Sequence, residues 1–193
     1  MKKLLVSMLL AVALVAPVFA ADQGAMELDV KAGFNIMSNV NTDWDGAYTE
    51  DESIDPAFTA GVDFFYYVMP QLAIGAGIQY IFNSKIKDTE IKVGWTNLYA
   101  QAKYVFETGN DIFNNVYPLV QIGYGIFNID WDYGDADSNG LYWGIGAGTT
   151  IKENFVFEIL YSKNSANIKT VYGWKGDVDY STLQLKVGYK FTF

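Results

Sequence analysis

An all-β, membrane-spanning barrel of eight antiparallel strands in up-and-down order is the fold this sequence predicts, on three observations. The C-terminal octet Lys186-Val187-Gly188-Tyr189-Lys190-Phe191-Thr192-Phe193 sets Val187, Tyr189, Phe191 and Phe193 on one strand face. Lys186, Gly188, Lys190 and Thr192 fall on the other. Apolar alternating with polar at period two is the pattern of a strand with lipid on one side. The second observation is that seven further segments repeat it. The third is that the links between them alternate short and long, as in barrels with tight periplasmic turns and long outer loops.

Met1-Lys2-Lys3 is a basic start, Leu4 to Val18 is nearly unbroken apolar, and small residues gather at Ala20 and Ala21. This is the three-part plan of a secretory signal peptide. A transmembrane helix needs ~20 apolar residues, and this run is shorter and meets Pro17. The reading is a leader over 1–20, cut after Ala20 or else after Ala21, and a barrel domain over 21–193. No later stretch is apolar enough to span a bilayer as a helix.

The predicted strands are 26–37, 57–68, 72–82, 95–106, 116–128, 141–151, 155–163 and 181–193. In the first, Met26, Leu28, Val30, Ala32, Phe34 and Ile36 alternate with Glu27, Asp29, Lys31, Gly33 and Asn35. Each segment is close to the ~9–11 residues a tilted strand needs to cross the bilayer. The short links are 69–71, 107–115 and 152–154, which places both chain ends on the periplasmic side. Tyr66, Tyr104, Phe106, Phe155, Phe191 and Phe193 then form one aromatic band, and Phe34, Phe58, Tyr80, Phe82, Trp143 and Tyr161 the other. Two such girdles mark the membrane interfaces. Pro118 sits on an outward face without an N–H to donate, so a bulge or late pairing is expected there.

Composition removes whole classes of function. The 13 basic residues are all lysine, two of them in the leader, and all 22 acids follow it, so the remainder carries −11. A chain without arginine and this acidic does not suit nucleic acid. Cysteine is absent, so no disulfide staples the fold. Histidine is absent too, and Glu158 or Asp63 beside Ser162 or Thr59 is a weak substitute for a general base, so no enzyme is expected. The inward Gly75/Gly77, Gly123/Gly125 and Gly144/Gly146/Gly148 precede no helix and are read as relief of crowding, not phosphate loops. Asp135-Ala136-Asp137-Ser138-Asn139-Gly140 matches half an EF-hand loop but meets Gly146 where glutamate is required, so it is read as a solvated acidic loop. No cofactor or metal is expected.

Two groups remain as candidate sites. The inward face carries Glu27, Asp29, Asp63 and Glu158 against Lys31, Lys103, Lys186 and Lys190. A barrel of eight strands is just wide enough for side chains to fill, so this balanced set is expected to pair and close the lumen. Glu158, Glu27 and Asp29 are expected beside Lys190 and Lys186, and Lys31 opposite Asp63. The outer loops hold Trp44, Tyr48, Trp131, Tyr133, Tyr172, Trp174 and Tyr180 among polar residues, a composition suited equally to protein or glycan contact and to a place in the headgroup belt.

The whole predicted barrel resembles the small eight-stranded barrels of the OmpA, OmpX and opacity type, the outer membrane protein β-barrel family. Gly188, Phe191 and Phe193 resemble that family's C-terminal assembly signal. The resemblance implies a place in the outer membrane, contact with its lipid and lipopolysaccharide, and recognition by the barrel-assembly machinery. The barrel enzymes of similar architecture rely on a histidine that this chain lacks. A monomer is expected, with a structural or adhesin-like role through its loops; the alternative is a narrow porin-like channel for ions or small solutes.

Overall fold

A strand with one apolar face cannot leave its backbone edge open in lipid, so a sheet of such strands must close on itself. The computed structural model, which describes residues 22–44, 48–85, 92–131, 134–169 and 175–193, shows that closure. Its strands are β1 (Met26–Trp44), β2 (Tyr48–Ser53), β3 (Phe58–Met69), β4 (Leu72–Lys85), β5 (Lys92–Tyr104), β6 (Phe106–Glu107), β7 (Phe113–Trp131), β8 (Gly134–Ile151), β9 (Phe155–Lys169) and β10 (Lys175–Thr192). Eight form the wall in the order β10-β9-β8-β7-β5-β4-β3-β1, and β10 pairs back to β1. Every pairing is antiparallel, and the closing seam runs from Glu27↔Thr192 to Trp44↔Gly176. β6 continues the line of β5 along β7, and β2 folds back on the outer end of β1. The predicted leader lies outside the described residues.

The outward residues are the apolar set that the alternation predicts. Phe34, Phe58, Phe82 and Tyr80 touch in a chain across β1, β3 and β4, with ring centroids 5.3, 5.4 and 4.9 Å apart. At the other end, Tyr104 meets Phe106, and Tyr189 meets both Phe155 and Phe191. These two bands bound the lipid-facing zone.

Several strands outrun the predicted segments, mostly at the outer end; β7 also starts three residues early, at Phe113. β1 continues seven residues past the predicted Met37, and β7 and β8 stay in register to Trp131↔Gly134. The half EF-hand segment is therefore strand, not loop. The first outer loop is partly structured as well: β2 pairs with β1, and Ile54 is buried. Outward polar residues above the membrane meet water, so nothing there requires the ladder to stop, while Val40, Val93, Phe127 and Val178 keep up inward apolar alternation.

Pro118 is accommodated by an interruption in its neighbour. It pairs with Ala147 on β8, and on its other side β5 ends at Tyr104 before β6 resumes at Phe106. The Val105 amide there donates to the Gln71 carbonyl at 2.7 Å instead. The missing proline donor thus falls where the ladder is broken.

Inward glycines make room for tyrosines. Across four strands one level reads Gly77↔Tyr99↔Gly123↔Tyr142, and the two tyrosine rings lie 5.4 Å apart. A Cβ on Gly148 would sit 2.5 Å from Cζ of Tyr117. Gly148→Val should therefore cost about 1–3 kcal/mol by overpacking, read as a lower urea midpoint of the refolded barrel. Gly109→Ala, where an added Cβ meets nothing within 4 Å and only a φ of +65° resists, should cost less.

Candidate functional site: the lumen and the outer hairpins

The lumen is filled in layers, because inward residues of neighbouring strands meet at common levels. The layer nearest the periplasm is ionic. Lys103 of β5 bonds Glu27 of β1, whose second oxygen accepts from the Tyr67 hydroxyl at 2.8 Å. Lys31 of β1 donates to both oxygens of Glu158 at 2.8 and 2.9 Å and pairs with Asp63. Tyr117 adds a 3.0 Å bond to Glu158, and Tyr99 a 2.8 Å bond to Asp63. The Lys103 amine also lies over the Phe65 ring, 3.9 Å from its centroid. Asp29 is fully buried with neither oxygen hydrogen-bonded within the protein, and the amines of Lys31 and Lys103 each stand 4.0 Å from its Oδ2.

This geometry corrects the expected pairing. Lys186 sits directly opposite Glu158, and Lys190 opposite Asp29, in backbone register. Glu158 nevertheless bonds Lys31, and Glu27 bonds Lys103. No carboxylate lies within 4.0 Å of the Lys186 or Lys190 amine among the described residues. The stems of Lys31 and Lys103 reach past the neighbouring strand, to Glu158 on β9 and to Glu27 on β1. Lys190 is half-buried at the periplasmic mouth, where it lines a cavity of about 580 Å³ with Glu27, Glu107 and Glu153. Lys31 does meet Asp63, as read from the sequence.

Above the ionic layer lies a belt of amides. Gln79 donates to Gln184 at 2.8 Å, Gln121 to Gln101 at 3.0 Å, and the Tyr142 hydroxyl to Gln121 at 2.6 Å. The outermost layer is aromatic. Trp95 of β5 stacks on Tyr180 of β10 with centroids 4.0 Å apart and planes at 19°, and Phe127 of β7 closes on Trp95 at 4.4 Å. β5 and β10 face each other across the barrel, so this stack bridges the full lumen. Val40, Ile54, Ile81, Val93 and Val178 pack around it. Asn35 donates to the Tyr180 hydroxyl at 2.6 Å, and Ser38 lies 3.2 Å from it.

Tyr180 was expected among the exposed loop aromatics and is instead inward on β10, only 1% exposed. Trp44, Tyr48 and Trp131 occupy strand positions in β1, β2 and β7, not loops; Tyr133, Tyr172 and Trp174 lie outside the described residues. The layer sequence reasoning missed is the aromatic one. Its signal was available: Trp95 and Phe127 fall at inward parity, as Gly77 and Gly123 do beside the inward tyrosines.

On the outer surface above Tyr161, Lys163 and Asp179 pair at 2.8 Å, and Ser165 donates to the same carboxylate at 2.6 Å. Partial burial pushes the Asp179 carboxyl up, but the bonds from Lys163 and Ser165 and the lysine charge outweigh it and hold the group below the usual carboxylate range.

The family model described as "Outer membrane protein beta-barrel domain" matches residues 6–191. Among solved structures, neisserial surface protein A is similar at 17% identity and TM-score 0.54, covering 87% of this chain and 99% of its own. The outer membrane protein OprG of Pseudomonas aeruginosa is similar at 14% and 0.51, covering 92% and 99%. Ail, the attachment invasion locus protein of Yersinia pestis, gives 17% and 0.47, covering 88% and 99%. At these identities the likeness is one of fold. No curated protein matches the chain.

Lys31→Met leaves Asp63 and Glu158 buried without their cation and should cost about 3–5 kcal/mol in urea unfolding from lipid vesicles. Lys163→Met at the half-exposed pair should cost under about 1 kcal/mol. For Asp179, a depressed folded value means the contact is intact above the ordinary carboxylate pKa and is lost as pH falls through the lower one. A carbon-13 titration of that carboxyl should show the low midpoint, and Lys163→Met should move it back up.

Proposed function

The chain belongs to the outer membrane protein beta-barrel family, and on that premise we propose that it is a closed outer-membrane scaffold whose outer hairpins form a contact surface. The observation that carries this reading is the Trp95–Tyr180 stack between strands on opposite sides of the lumen. A side-chain plug with an apolar collar leaves no continuous wet path for ions. The strand extensions beyond the membrane support the second half of the reading, since β7 and β8 stay paired as far as Trp131↔Gly134. A binding surface mounted on strands keeps its geometry better than one on free loops.

The chemistry of the tips favours one kind of partner. The first hairpin carries Asp43, Asp45, Glu50, Asp51, Glu52 and Asp55 without a lysine, and the third carries Asp130, Asp132, Asp135 and Asp137. Such tips suit a basic protein surface and repel sulfated or phosphorylated glycans. No acid–base chemistry is proposed, because the Glu158 and Asp63 carboxylates are taken up by Lys31, Tyr117 and Tyr99.

Planar-bilayer recording of the refolded protein should give no steady conductance; a stable, sizeable current would overturn the closed scaffold in favour of the channel. Vesicles bearing the protein should be retained on a lysine-rich peptide surface at low salt and released at 1 M, where the screening length falls to ~3 Å. Replacing residues 129–139 with a short turn should leave the barrel folded and weaken that retention. Unchanged retention would sink the contact role of that hairpin.

A further inference from the structure

Lys31, Asp63 and Glu158 are closed to any outside substrate, but the contacts that occupy them also set them against one another. Lys31 and Asp63 lie diagonally on neighbouring strands: Lys31 is opposite Gly61, and Asp63 opposite Asp29, in register. Gly61 has no side chain, so nothing on β3 stands between the lysine stem and the aspartate. The Lys31 amine is in contact with Oδ2 of Asp63 and donates to both oxygens of Glu158 at 2.8 and 2.9 Å. Tyr99 donates to Oδ1 of Asp63 at 2.8 Å, and Tyr117 to Oε1 of Glu158 at 3.0 Å. Lys31, Asp63 and Glu158 are all buried.

An amine, a carboxyl and a second carboxylate held together away from bulk solvent are the parts of an amide-forming reaction. The amine is the nucleophile and the carboxyl carbon of Asp63 the electrophile. Glu158 is placed to carry protons between them. The Tyr99 hydroxyl points at the oxygen on which negative charge grows as that carbon becomes tetrahedral. Fixed contact gives the pair an effective concentration far above any solution value. Burial also brings the neutral amine and acid closer in energy to the ion pair, because solvent no longer favours the charges. The other short lysine–carboxylate contact lacks the third member. Lys103 meets Glu27, but the next carboxylate oxygen, Oδ2 of Asp29, stands 4.0 Å from its amine.

We propose that Lys31 and Asp63 condense to a covalent isopeptide bond in the folded barrel, with Glu158 as the proton carrier. The lone pair of Nζ forms the bond to Cγ of Asp63, and the Cγ–Oδ2 bond breaks with its electron pair on the departing oxygen. Two protons leave Nζ, pass through Glu158 and end on that oxygen. One water is released, and nothing is oxidised or reduced. Glu158 finishes ionised, as it began, and loses the ammonium that it bonded. Lys186 stands directly opposite it on β10, buried and with no carboxylate within 4.0 Å of its amine among the described residues. The lysine that the ionic layer leaves unmatched is thus the cation beside Glu158 in the product. The event occurs once per chain, without turnover, and ties β1 to β3 beneath the first outer hairpin. The inference stands whether or not that hairpin binds a partner.

The test is the intact mass of the refolded barrel against the same chain held unfolded in urea. Folding should remove about 18 Da, one water, as the amide forms. A protease digest should then contain a branched peptide joining Lys31 to Asp63. Lys31→Arg and Glu158→Gln should keep the full mass. Asp63→Asn should still react, losing ammonia in place of water, about 17 Da. Folding of each sample is checked by its change in gel mobility on heating. A folded wild type at full mass would overturn the proposal, and so would a mass loss that survives Lys31→Arg. If a variant fails to fold, the wild-type mass and its branched peptide still decide.

Discussion

The pairing of β1 with β10 fixes the circumference of the sheet, and everything inside the barrel is a response to the space that closure leaves. Eight strands enclose room for side chains and little else. Each inward residue must therefore fit its ring and satisfy its polar atoms there, because bulk solvent is not at hand. The rings are filled in different ways: ions near the periplasm, amides at the waist, aromatic packing at the outer end. Small-to-large alternation, with Gly77 and Gly123 flanking Tyr99, lets bulky rings enter a bore that cannot widen.

The outer wall was nearly all legible in the sequence, and the reason is physical. Lipid imposes one rule on every outward position, so the alternation of Met26, Leu28, Val30, Ala32 and Phe34 states strand, face and membrane depth at once. The even count, the short turns and the two aromatic bands follow from the same rule. Strand ends at the outer side were not legible, because above the membrane the outward residues may be polar in strand or loop alike. Asp135–Gly140 carries the composition of a loop and runs as strand because β7 is there to pair with it.

The lumen was legible in composition but not in partnership. The eight charges were visible as inward residues, and register alone would have matched Glu158 to Lys186. The actual partners, Lys31 with Glu158 and Lys103 with Glu27, come from strands two or three places apart. Such contacts depend on stem length, which no period-two pattern encodes. Tyr180 shows the same limit: its neighbours in sequence are polar, and only its parity with Val178 and Thr182 reveals that it turns inward. The candidate site was thus found as a set of residues, with the Lys31–Asp63 contact read correctly and the partners of Glu158 and Glu27 misassigned.

The seam between β1 and β10 also sets an order on folding. Glu27 and Thr192 stand far apart along the chain, and the seam is among the longest-range pairings in the molecule. Contacts of that separation form late, since their loop entropy must be offset before they return anything. Hairpins such as β3–β4 and β8–β9 span turns of a few residues and can zip first. Until that seam forms, the sheet is a ribbon with two unpaired edges. Those two edges are also the ones that match each other, so the ribbon carries within itself both halves of its own clasp.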